Sequence, residues 1–232
     1  MNLTQENKER YSRSILCEEF SEKAQEKLLS SSVLVVGAGG LGCAVLQYLV
    51  AAGVGRVAIV EFDKVGLSNL QRQTLFTVLD IGRPKVEVAA ERLAKLNPNV
   101  RIEIVSEPFE ESNAERLVAD YDLAVDCTDN YMTRLLLDSV CAKMRKAMVY
   151  GSAQNWSSQV ATFNWGNAGR YVDMFGEGEQ QEVVGVITPN VGVTGSLQAL
   201  EVIKIITSVG ETLDGKLLIF DHLRSKYKVY SL

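Results

Sequence analysis

The chain has a single histidine, His222, and four cysteines, Cys17, Cys43, Cys127 and Cys141, with no C-x-x-C pair among them. A Cys/His zinc cluster therefore lacks closely spaced ligands. Scattered thiols of this kind read as reduced and mostly buried, which fits a reducing compartment such as the cytoplasm. Basic runs are also missing. Lys+Arg 24 against Asp+Glu 29 gives a net charge of −5, without the basic stripe a nucleic-acid binder carries. The first residues (Asn2, Glu6, Lys8, Glu9, Arg10) are too polar for a secretory signal. Residues 28–55 carry no charge, but serines, glycines and Gln47 interrupt them, which suits a strand, a turn and a helix rather than a bilayer span. These absences predict a soluble cytoplasmic protein that binds neither nucleic acid nor membrane.

What is present is ordinary globular material: 232 residues, 47% of them hydrophobic. A chain of this size forms one domain and buries about 70% of its unfolded surface. The first thirty residues read as helix, with Ser21 as an N-cap. Short apolar strands are expected over 32–37, 56–61, 100–105, 122–126 and 147–151. Helices are expected between them, opening near Gly37, Pro84, Ser112 and Asn130. This alternation predicts an α/β fold, a Rossmann-like, doubly wound, mostly parallel sheet. Beyond Gly151 the pattern changes. A half-buried strand over 158–165 is followed by a polar, Gly-rich stretch over 166–182 that reads as a mobile crossover loop. A helix over 192–208 and two antiparallel strands, over 216–221 and 226–230, then close the chain.

Gly37-Ala38-Gly39-Gly40-Leu41-Gly42 fits G-x-G-x-x-G in the required place, after a strand and at a helix start. Its glycines permit a tight turn and close backbone approach, while helix N–H groups face an anion. Glu61 ends the next strand, where a carboxylate can take ribose hydroxyls. This pattern says nucleotide without saying which one. A nicotinamide-dependent oxidoreductase is one reading and an ATP-using transferase the other. Adenylyl transfer needs cations on the triphosphate and a carboxylate for Mg²⁺. Arg72, Lys85 at the first turn of a helix, and Asp129 past the fourth strand supply those types. Each also has a plainer role available: a surface ion pair for Arg72, a solvated lysine for Lys85 and a helix N-cap for Asp129.

Taken in order, R-Y-S-R (10–13), V-V-G-A-G-G-L-G, L-S-N-L-Q-R-Q, I-G-R-P-K-V, D-C-T-D-N and G-V-T-G-S-L-Q-A-L-E resemble the ThiF/MoeB/HesA family. Its members are relatives of the adenylation domain of ubiquitin-activating enzymes. The resemblance covers nearly the whole chain. It implies a homodimer that uses ATP and Mg²⁺ to adenylate the C-terminal Gly-Gly carboxylate of a ubiquitin-like sulfur carrier, a ThiS-like one in preference to a MoaD-like one. By the same resemblance Gly40 lines the ATP with the other loop glycines, and Glu61 holds the ribose. Ser68, Asn69, Leu70, Gln71 and Arg72 cover the phosphates, with Arg72 and Lys85 holding charge. Asp129 binds Mg²⁺ beside Asn130, and Arg13 reaches into the partner subunit's site.

Two departures from the family pattern matter. Members often carry two C-x-x-C zinc pairs, and here the first falls on Gly169–Glu177, which has no cysteine. No structural zinc is expected. Many members also carry a crossover cysteine for covalent sulfur handling, where this chain has Gln180, Gln181 and Glu182. Adenylation is expected, with sulfur arriving from a separate donor protein. One adenylation domain over 1–232 follows: a helical segment over 1–30, a nucleotide-binding core over 31–151 and a carrier-binding half over 152–232. A non-catalytic scaffold for a ubiquitin-like partner is the remaining alternative.

Overall fold

The computed structural model describes residues 3–166, 168–176, 178 and 184–231. Its centre is one eight-stranded sheet. The strands are β1 (Ser32–Val36), β2 (Arg56–Val60), β3 (Arg101–Val105), β4 (Leu123–Asp126), β5 (Met148–Gln154), β6 (Ser157–Phe163), β7 (Lys216–Asp221) and β8 (Lys226–Ser231). Their order is β3-β2-β1-β4-β5-β6-β7-β8, with parallel pairing from β3 to β5 and antiparallel pairing from β5 to β8. The central strands are buried on both faces because β-branched residues fill both sides: Val35 pairs with Ile59 and Val125, and all three are wholly buried.

Nine helices are described: α1 (Gln5–Arg10), α2 (Ser12–Ile15), α3 (Glu22–Ser30), α4 (Gly40–Ala52), α5 (Lys85–Leu96), α6 (Ala114–Ala119), α7 (Tyr131–Met144), α8 (Tyr171–Phe175) and α9 (Thr188–Thr207). One core lies between the sheet and α3, α4, α5 and α9, and the other beneath α6, α7 and α8. α4 and α9 approach closely because Gly195 leaves room: a Cβ there would meet the Leu41 carbonyl oxygen at 2.5 Å. Among the described residues no helix is long and apolar enough to cross a membrane.

The topology positions the site. After β1 the chain builds β2 and β3 on one side, then returns to lay β4 on the other. The carboxyl ends of β1 and β4 therefore flank a crevice at the point where strand order reverses, the ligand position of open α/β sheets.

Three expectations need correction. The stretch over 166–182 is not a featureless loop, since it contains α8. Tyr171 and Phe175, one helical turn apart, stack at 4.7 Å and pack on Tyr150 and Phe163. Ring burial here outweighs polar composition, while Gln180, Gln181 and Glu182 lie outside the described residues. The helix expected over 192–208 begins at Thr188, with Pro189 in its first turn, where a missing N–H costs nothing. The N-terminal segment is three helices, and Ser21 makes no side-chain cap bond to α3. Tyr11 pins the first two: it is buried, its hydroxyl accepts from Asn97 Nδ2 at 2.9 Å, and its ring lies 2.5 Å from where a Cβ on Gly53 would sit.

Candidate functional site

The loop between β1 and α4 is built by glycines with separate tasks. Gly37 has φ +98°, and a Cβ on it would lie 2.7 Å from the Cys127 carbonyl oxygen, so only glycine fits. Gly42 folds onto the same turn, its Cβ position 2.1 Å from the Gly37 carbonyl oxygen. Gly40 faces Val191 of α9 at 3.0 Å, whereas Gly39 has only the Gln73 amide nearby, at 3.6 Å. Gly39 is also the N-cap of α4 and offers no side chain to its first turn. The free N–H groups of that turn face the crevice, an arrangement that attracts anions.

Glu61 stands directly beyond β2 and braces this loop. One oxygen accepts the Ala38 N–H at 3.1 Å, and the other accepts the Phe62 and Asp63 N–H groups at 2.9 Å. Lys85, the first residue of α5, is only 4% exposed. Its Nζ donates to Asp63 Oδ2 at 3.1 Å and lies 4.0 Å from Glu61 Oε2, while its backbone N–H donates to the Asp63 carbonyl at 2.9 Å. A buried cation at a helix N-terminus opposes the helix dipole, and two carboxylates offset that cost.

The segment after β2 wraps over the crevice. Asn69 shapes it by accepting the Gly66 N–H at 2.9 Å, and Leu70 anchors it on the α4-side core. Gln71 Oε1 accepts the Thr188 hydroxyl at 2.8 Å, tying the segment to the start of α9. Ser68 is exposed, and its carbonyl accepts from the half-buried Arg72 guanidinium at 3.3 Å.

At the end of β4, Asp126 is fully buried and organises the next turn. One of its oxygens accepts the N–H and hydroxyl of Thr128 at 3.0 and 2.9 Å, and the other accepts Arg134 Nε. Arg134 also donates to the Thr128 carbonyl at 2.8 Å and lies over the Tyr150 ring at 4.8 Å. Asn130 is the N-cap of α7, its Oδ1 accepting the Thr133 N–H at 3.0 Å, so Asp129 is not the cap and its exposed carboxylate lies at the sheet's carboxyl edge.

Residues 11–232 match the ThiF family. The chain belongs to the ThiF family. It is 41% identical over 239 residues to the sulfur carrier protein adenylyltransferase of Thermus thermophilus, covering 98% of this chain and 88% of that one. It is 39% identical over 228 residues to the molybdopterin-synthase adenylyltransferase of Escherichia coli, covering 96% and 92%. With the adenylyltransferase and sulfurtransferase MOCS3 of Drosophila willistoni it shares 42% over 234 residues, covering 97% of this chain and 51% of that protein, so it spans about half the length of that relative. Solved structures of E. coli MccB (TM-score 0.88, 23% identity, 99% and 72% coverage) and of PaaA (TM-score 0.86, 23% identity, 99% and 75% coverage) share the fold.

In this ThiF-family chain Glu61 joins the glycine loop to Lys85, the segment over 68–72 reaches the start of α9 beside that loop, and Asp129 and Asn130 follow β4 at the same carboxyl edge of the sheet. Arg13 lies apart from them. It is exposed on α2, two residues past Tyr11, which packs at the far end of α4. The length of α4 separates that end from the crevice by about 20 Å, at roughly 1.5 Å per residue. The lone histidine has its Nε2 2.7 Å from the Ser158 hydroxyl, which also contacts Asn190 and Thr194 of α9. Among the described residues no three His, Cys, Asp or Glu side chains gather as an all-protein metal cage. Asp129 instead suits Mg²⁺ held by one carboxylate and substrate phosphates.

Sequence reasoning missed Asp63, Asp126 and Arg134. The E-x-D spacing of Glu61 and Asp63 was a usable signal, because both backbone N–H groups after Glu61 turn back onto its carboxylate. Asp126 opens the same D-C-T-D-N run that contains Asp129. Nothing local marks Arg134, whose role depends on rings from β5 and α8.

Proposed function

We propose that this chain adenylates the C-terminal Gly-Gly carboxylate of a ubiquitin-like sulfur carrier, with ATP as co-substrate. The observation that carries this reading is the meeting, at the strand-order reversal, of an uncapped helix N-terminus, a fixed carboxylate at Glu61, a buried cation at Lys85 and an exposed carboxylate at Asp129. The adenylyltransferase names of the Thermus and E. coli relatives support it.

In this reading the carrier carboxylate attacks the α-phosphorus of ATP. A new P–O bond forms, the bond to the β-phosphate oxygen breaks, and pyrophosphate leaves. The nucleophile is already ionised, since a free α-carboxyl titrates near about 3.5, and no general base is required. The chain's own residues position and neutralise. Glu61, fixed by three N–H donors, receives the ribose, while the α4 N-terminus, Lys85 and Arg72 take phosphate charge. Mg²⁺, held by Asp129 when bound, adds positive charge to the phosphates. The 152–232 half receives the carrier.

Arg13 lies too far from its own crevice and serves a second copy in a homodimer. The apolar exposure of Tyr48 on α4 and of Val193 and Leu200, one above the other on α9, suits such pairing. Cys17 is exposed and Cys43, Cys127 and Cys141 are buried, all four as free thiols in keeping with the cytoplasm. None is an accessible thiol at the crevice, so sulfur comes from a separate donor protein.

The test is carrier-dependent exchange of labelled pyrophosphate into ATP, with ThiS-like and MoaD-like carriers offered separately. Exchange is expected with an intact carrier and not with one lacking its final glycine. NAD binding without ATP binding, or carrier binding without exchange, overturns the reading in favour of an oxidoreductase or a scaffold.

A further inference from the structure

Tyr171, the first residue of α8, is buried and held by α7 at two points one helical turn apart. Its backbone N–H donates to Asp138 Oδ1 at 2.8 Å, and its ring centre lies 5.6 Å from the Arg134 guanidinium carbon. Arg134 and Asp138 stand four residues apart on α7 and so share one face of it. Asp138 is wholly buried and also accepts from Asn164 Nδ2 at 3.0 Å and Arg170 Nε at 3.2 Å, which seats the start of α8 firmly. Phe175 stacks on the Tyr171 ring one turn further along. The ring is thus set by α8 and by Asp138, and it sets the guanidinium in turn.

The polar edge of that guanidinium points to the turn after β4. Its Nε donates to the Asp126 carboxylate, and its Nη2 donates at 2.8 Å to the Thr128 carbonyl, which belongs to the Thr128–Asp129 peptide. Thr128 is gripped on both sides, its N–H by Asp126 and its carbonyl by Arg134. This fixes where the Asp129 side chain leaves the backbone. A planar guanidinium joins two acceptors in one rigid fork, which an ammonium group does not. Groups behind a metal ligand commonly orient it in this way.

We propose that Tyr171 is a positioning residue for the cation at Asp129: its ring holds Arg134 in the plane that fixes the Thr128–Asp129 peptide. This rests on the reading of Asp129 as the Mg²⁺ carboxylate. The relay joins the two halves of the chain, since α8 lies beyond β6 while Asp129 follows β4. How well α8 is seated sets how firmly the cation is held, and α8 need not touch the nucleotide to do so.

The experiment measures ATP binding by calorimetry, once with Mg²⁺ and once with EDTA, for the full chain as wild type, Asp129→Ala, Arg134→Lys and Tyr171→Leu. The readout is the gain in ATP affinity that Mg²⁺ brings. Wild type is expected to show that gain and Asp129→Ala to lack it. Tyr171→Leu and Arg134→Lys are each expected to lose about tenfold of it, as for a group behind a metal ligand, with the Kd in EDTA unchanged. A full gain in folded Tyr171→Leu overturns the proposal. Equal losses with Mg²⁺ and with EDTA overturn it in favour of a purely structural role, and a loss confined to Arg134→Lys overturns the link to α8. If Tyr171→Leu does not fold, Phe175→Leu, which removes the stacked ring and leaves the bond to Asp138, is judged by the same outcomes. A full gain in Asp129→Ala is a separate result, which removes the Mg²⁺ reading and this inference with it.

Discussion

The side chain of Asn130, not that of its neighbour Asp129, accepts the Thr133 N–H at 3.0 Å and closes the first turn of α7. In the proposed reading capping and metal binding are thereby divided between adjacent residues, and substitutions can separate them. Asp129→Ala is expected to abolish pyrophosphate exchange while leaving the urea unfolding midpoint near that of wild type. Asn130→Ala is expected to lose about 1 kcal/mol of stability, the usual value of a cap. A folded Asp129→Ala chain with near-normal exchange removes the Mg²⁺ assignment.

Arg13 gives a second prediction. Arg13→Ala and Lys85→Ala homodimers are each expected to be inactive. Mixed and allowed to re-pair at random, they regain roughly a quarter of wild-type activity, because mixed dimers hold one site with both residues intact. The measurement is exchange activity against time after mixing. Undiminished activity in the Arg13→Ala homodimer ends the assignment.

A third concerns β5. Gly151 lies so close to Gln198 that an added Cβ would sit 2.3 Å from its Cδ. Gln198 is fully buried, and its Nε2 donates to the Asp126 carbonyl at 2.7 Å. Gly151→Ala must displace that amide, with an expected loss of about 1–3 kcal/mol in urea unfolding. An unchanged midpoint would show that the α9 side chain gives way freely.

The thiols provide a fourth. Burial pushes Cys43 and Cys141 each up to about 12 and Cys127 well above the ordinary thiol range, whereas Cys17 is exposed. Thiolate is the reactive form, so at pH 8 the three buried groups are protonated as well as shielded. Native protein is expected to react with a disulfide reagent rapidly at one thiol per chain, and Cys17→Ser to remove that phase. Rapid labelling of Cys127 in folded protein would contradict the burial of the turn beneath the glycine loop.

The parallel half of the fold was legible because its signals are local. An apolar run such as 32–36 followed by glycine and helix has few alternative readings, and Glu61, Lys85 and Asp129 stand at fixed offsets from strand ends. The start of α9 was harder, since Thr188-Pro189 marks a helix only once proline is placed in a first turn. α8 and Arg134 were not legible at all. Their placement depends on Tyr150, Phe163 and Tyr171 meeting across two strands and a helix, and no spacing within any one segment encodes that meeting.

Tyr11, wedged against Gly53 and Asn97, fixes α2 at the edge of the sheet opposite the crevice. If Arg13 serves a second copy as proposed, a single copy folds with its crevice short of the cation that its partner supplies. Catalytic output becomes a matter of how many copies are paired as well as how many are folded. Well below the pairing constant the exchange rate rises with the square of chain concentration, and well above it linearly. The cell's supply of the chain would thus set throughput more steeply than in proportion.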